Sequence, residues 1–116
     1  MNIAVNTRLL TNDIHGGIEW FTYESLLRIT RNNPEHEFFF LFDRIFSDKY
    51  IFSPNIQPLI IRPRAVHPLL WYTWFEWMIP PVLKKIKADI FLSPEGMIPL
   101  KTDIPSLAVI RGSQVF

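Results

Sequence analysis

The sequence contains no cysteine, which excludes disulfides, thiolate metal sites and cysteine nucleophiles and fits a reducing compartment. It also lacks an excess of charge of either sign. Twelve Lys and Arg stand against 11 Asp and Glu, so no strong net field draws the whole chain to nucleic acid or to an anionic membrane. The first residues, Met1 to Arg8, lack the basic patch, long apolar run and small-residue cleavage site of a signal peptide. A membrane span is lacking too. The apolar stretch from Leu69 to Ile79 is interrupted by Glu76 and followed by Pro80-Pro81, and it has about half of the roughly 20 residues a span needs. These absences point to a cytoplasmic chain and leave peripheral contact with the inner face of a membrane open.

What is present is a composition of 48% hydrophobic and 15% aromatic residues over 116 positions, enough for one folded domain with a real core. Asn2 to Asn6 reads as a strand, and the polar stretch from Asn6 to Gly17 as a loop holding the pair Gly16-Gly17. From Ile18 a helical period places Ile18, Phe21, Thr22, Ser25, Leu26 and Ile29 on one face, and Asn32-Asn33-Pro34 ends the helix. Trp20, Tyr23 and Leu27 recur on the opposite face and call for a cover of their own. Two strands follow, Glu37 to Phe42 and Ile56 to Ile61, with the polar residues Asp43-Arg44 and Asp48-Lys49 between them.

Leu69 to Ile79 predicts a buried helix with only Thr73 and Glu76 as a polar stripe, and Pro80-Pro81 is expected to break or kink it. A short amphipathic helix then carries Val82, Leu83 and Ile86 on one side and Lys84, Lys85 and Lys87 on the other. Strands at Asp89 to Leu92 and Ser106 to Ile110 complete the pattern. Alternation of this kind predicts an α/β fold whose strands form a mostly parallel sheet flanked by helices. The chain stops at Phe116 just after its last strand, where a doubly wound sheet calls for another helix, so the expectation is an incomplete domain.

Ligands of open α/β sheets gather at the carboxyl ends of the strands, which directs attention to the loops after Asn6, Leu92 and Ile110. Glycines directly before a helix let backbone N–H groups approach a phosphate, although a paired glycine is also an ordinary turn. The run Gly16-Gly17-Ile18-Glu19-Trp20 opening an aromatic-bearing helix, the segment Ala88 to Gly96 and the strand Ser106 to Ile110 resemble the start of family-4 glycosyltransferases. The resemblance implies the N-terminal, acceptor-side Rossmann-like domain of a GT-B fold, without the donor-binding second domain. It implies transfer of a hexose from a nucleotide-diphosphate sugar to a glycan or lipid-linked acceptor, with no resident cofactor, and little activity from this chain alone.

By the same resemblance Gly16 and Gly17 lie near the donor diphosphate, and His15, Ser93, Glu95 and Gly96 line the acceptor cleft. Arg111 and Gly112 stand where the family usually has His-Asp. Arg111 can pair with a phosphate but cannot act as a base at neutral pH. No two Glu residues are spaced Glu-x7-Glu, as the family's donor domain has them, and no Asp-x-Asp is present, so metal dependence is not expected. The alternative is a non-catalytic Rossmann-like module or a decayed remnant.

Other residues have blander readings. His15 is either a cleft proton carrier or a hydrogen-bonded loop residue, and Glu95 either touches acceptor hydroxyls or sits exposed in a turn. His36 and His67 have no carboxylate or cysteine partners at metal-like spacing. Trp71, Trp74 and Trp77 scatter too widely in angle for one exposed stripe and suit the core or a domain contact. Lys84, Lys85, Lys87 and Lys101 read as solvated. An incomplete sheet predicts exposed apolar surface, hence self-association or poor solubility.

Overall fold

The computed structural model describes residues 1–7, 10, 17–43, 48–61, 73–94 and 102–108. Strand β1 (Asn2–Asn6) leads to helix α1 (Gly17–Asn32), then β2 (Glu37–Phe42), a 3₁₀ turn (Asp48–Tyr50) and β3 (Ile56–Ile60). A π-helical turn (Trp74–Met78) runs into α2 (Ile79–Lys85), followed by β4 (Ile90–Ser93) and β5 (Ser106–Ala108). The strands form one sheet in the order β3-β2-β1-β4-β5, every neighbouring pair parallel. This is the expected Rossmann-like α/β arrangement. Pro58, without an N–H to donate, is tolerated because β3 is the edge strand, paired only with β2 among the described strands.

Alternation along the strands sends side chains to two cores. Val5, Phe38, Phe40, Phe42 and Ile56 gather with Leu26 of α1 and Tyr50 on one face. On the other, Ala4, Leu41 and Phe91 pack with Trp74, Ile79 and Leu83 of the helical segment before β4. Two covered faces explain why β2 reads as an almost unbroken apolar run.

Two expectations about helices need correction. Helix α1 turns Thr22, Leu26 and Thr30 to the sheet, while Phe21 and Ile29, assigned to its core face, remain 43% and 38% exposed. The cause is Tyr23, which packs edge-on against Tyr50 and Phe52 at centroid distances of 6.1 and 5.5 Å and rotates the helix toward the crossover between β2 and β3. Thr30 tolerates the core because its Oγ1 donates to the Leu26 carbonyl at 2.8 Å.

Secondly, of the break or kink expected at Pro80-Pro81 the break does not occur: a π-helical turn carries the helical course into the prolines. Ile79 N–H donates to the Trp74 carbonyl, five residues back, and the prolines occupy the first turn of α2. The wide turn gives the proline rings room where an α-helical turn would drive them into a carbonyl, and the first turn has no use for their missing N–H groups. It also resets the angular phase. Glu76, expected on a polar stripe, is 8% exposed, whereas Trp77 is 57% exposed and Trp74 is fully buried. Trp74 Nε1 donates to the Ile61 carbonyl at 2.8 Å, tying this turn to the end of β3.

The amino edge of the sheet is locked by side chains. Asn55, buried, donates from Nδ2 to the carbonyls of Thr30, Asn33 and His36 at 3.0 to 3.1 Å. Its Oδ1 accepts from Ser53 Oγ. One side chain therefore closes the end of α1 onto the starts of β2 and β3. Asn2 Nδ2 donates to the Ile86 carbonyl at 2.9 Å beyond α2. There Lys87 adopts φ 55° and the bonds Ala88 N–H to Leu83 and Lys87 N–H to Lys84 complete a helix-ending loop.

Candidate functional site at the carboxyl edge of the sheet

Strand order reverses between β1 and β4, since β2 and β3 lie to one side of β1 and β4 and β5 to the other. Such a reversal opens a crevice at the carboxyl ends of the strands. Helix α1 runs opposite to the strands: its last residues meet the amino edge through Asn55, which leaves its start at Gly17 on the carboxyl edge. The first N–H groups and the partial positive charge of that helix end face the same edge.

Among the described residues the carboxyl edge carries four buried polar side chains, Asn6, Thr7, Asp43 and Ser93. Asn6 Nδ2 donates to Ser93 Oγ at 3.2 Å, joining β1 to β4 across the reversal. Thr7 donates from its backbone N–H and from Oγ1 to the Leu41 carbonyl, at 3.1 and 3.0 Å, continuing the ladder one step beyond β1. Asp43 follows β2 directly. Asn6, Thr7 and Ser93 are neutral donors and acceptors, suited to holding hydroxyls or a phosphate oxygen and unsuited to abstracting a proton. Among the described residues no group of three His, Asp or Glu could hold a metal ion, and no helix is long and apolar enough to cross a membrane.

Of the residues singled out from the sequence, Ser93 is placed at the crevice, and Gly17 begins α1. His15, Gly16, Glu95, Gly96, Arg111 and Gly112 lie outside the described residues, as do His67, Trp71 and Lys101. His36 sits at the amino edge, 3.5 Å from the Glu35 carboxylate and away from the crevice. Lys84, Lys85 and Lys87 are exposed. Sequence reasoning overlooked Asn6, Thr7 and Asp43. Their signal was a polar residue closing each of two apolar strands, which is also how an ordinary loop begins. Comparison with known proteins finds no family model, no curated protein and no solved structure that matches the chain.

Proposed function

We propose that this chain is the acceptor-side, N-terminal portion of a glycosyltransferase that moves a hexose from a nucleotide-diphosphate sugar to a glycan or lipid-linked acceptor. The observation that carries the reading is the hydrogen-bonded pair Asn6 and Ser93 at the strand-order reversal, on the same edge of the sheet as the start of α1. A helix start supplies N–H groups for a diphosphate, and the neutral amide and hydroxyls on the same edge suit the hydroxyls of a sugar. The sequence resemblance of Gly16 to Trp20, Ala88 to Gly96 and Ser106 to Ile110 supplies the reaction class, which a fold alone never does. In this reading Gly16 and Gly17 lie against the donor diphosphate and His15, Ser93, Glu95 and Gly96 face the acceptor.

Arg111 and Gly112, standing where the family usually has His-Asp, favour a second reading, a non-catalytic binding module on the same sheet. Arg111 stays charged and offers phosphate pairing without base catalysis. Titration of the ¹⁵N-labelled chain with UDP-glucose and GDP-mannose tests the proposal. Saturable shifts at the amides of Thr7, Gly17 and Ser93 are expected, and shifts confined to the amino edge, or none, would contradict it. Hexose transfer to an added acceptor separates the enzyme from the module.

A further inference from the structure

The two outer edges of the described sheet differ in the backbone groups they present. At β3, Ile61 N–H donates to the Phe42 carbonyl at 2.7 Å, and the Asn55 carbonyl accepts from Phe38 N–H at 2.9 Å. Backbone groups along a strand point alternately to its two sides. Gln57 and Leu59 therefore face β2 together with Asn55 and Ile61, whereas Ile56, Pro58 and Ile60 face outward. Of these three, Pro58 has no N–H, and Ile56 N–H already donates to the Ser53 carbonyl at 3.3 Å. The outer edge of β3 thus carries three carbonyls and one available donor, at Ile60. Ile60 is 42% exposed, so the edge is open to approach.

An exposed edge strand is a template for pairing with another chain. A second copy laid antiparallel on β3, about a twofold axis at Pro58, sets Pro58 against its own copy and Ile60 against Ile56. Residues opposite each other at such positions exchange two N–H to C=O bonds, and at Pro58 both are missing. The two proline carbonyls lose water there without gaining a donor. The β5 edge lacks this feature. Phe91 N–H donates to the Pro105 carbonyl at 2.9 Å, so by the same alternation Ser106 and Ala108 turn both N–H and C=O outward.

We propose that Pro58, with the turn that occupies Ile56 N–H, closes β3 to strand addition by a second copy of this chain and leaves β5 as the edge at which the sheet can continue. The proposal is independent of the glycosyltransferase reading. It confines any self-association of the chain to surfaces other than β3.

Sedimentation velocity of the full chain and of Pro58→Val over a concentration series, with hydrogen exchange at the Ile60 amide, tests it. In the wild type Ile60 should exchange rapidly at every concentration. Pro58→Val returns two hydrogen bonds to the symmetric pair, so association should tighten roughly tenfold or more, with concentration-dependent protection at Ile60 and at position 58. Adding Ile60→Lys places a charge on the same edge and should bring the double variant back to wild-type behaviour. Pro58→Ala restores the same N–H with a smaller side chain and carries the test if Pro58→Val does not fold. Association unchanged from the wild type, or Ile60 protection that rises with concentration in the wild type, would overturn the proposal. So would association of Pro58→Val that leaves Ile60 unprotected, because the contact would then lie on another surface.

Discussion

Single side chains hold the amino edge of this sheet, and two of them lend themselves to direct measurement. Asn55 serves three carbonyls from α1 and the turn before β2. Asn55→Ala is expected to lower unfolding free energy by about 2–3 kcal/mol in a urea titration, since each buried unsatisfied group costs roughly 1–3 kcal/mol. Asn55→Asp should cost more, because a carboxylate would face the same three carbonyl oxygens. Lys87, at φ 55°, holds a conformation that glycine adopts without strain, so Lys87→Gly should stabilise by about 0.5–1 kcal/mol. Little of this was legible beforehand. Ser93 stood out because it lies in the segment Ala88 to Gly96 that carries the resemblance, but Asn55 acts on a carbonyl 25 positions earlier, and no local pattern announces such a contact. Asn6 and Asp43 were hidden for a related reason: their significance comes from which strands lie side by side.

At the scale of elements, position along the chain was easier to read than rotation about an axis. The bounds of β1, β2 and α1 follow from apolar runs, from Gly17 and from Asn33-Pro34, all of them local signals. The facing of α1 depended instead on Tyr50 and Phe52, which recruit Tyr23 from outside the helix. The phase of the segment before β4 depended on how Pro80-Pro81 would be accommodated, and a wide turn places Trp74 inside and Trp77 outside. Trp74→Phe tests that account. The substitution leaves the Ile61 carbonyl without its indole partner and opens a small void, for an expected loss of about 2–3 kcal/mol. Trp77→Phe, at an exposed position, should change stability by less than about 0.5 kcal/mol. Equal effects of the two would mean that the phase assigned to this turn is wrong.

For the whole molecule, the order β3-β2-β1-β4-β5 makes β1 the strand paired on both sides at the centre, with a core on each face. Hydrogen exchange should accordingly be slowest at Ala4, Val5, Phe39 and Phe40 and fastest, among strand amides, in β3 and β5. The parallel architecture was legible from the alternation of strands and helices, because crossover handedness leaves few other solutions. The crevice followed from that topology. What occupies it did not, since sheet geometry accommodates many ligands and the proposed reaction class rests on resemblance in a few segments. The central proposal is that a nucleotide-diphosphate sugar is held at the carboxyl edge, where α1 begins. Calorimetric titration of the chain with UDP-glucose and GDP-mannose, beside the Gly16→Val variant, tests it most directly. Saturable heat with one donor, lost in Gly16→Val while the melting temperature is retained, is the predicted result; no saturable heat with either donor, or equal affinity in the variant, would contradict it.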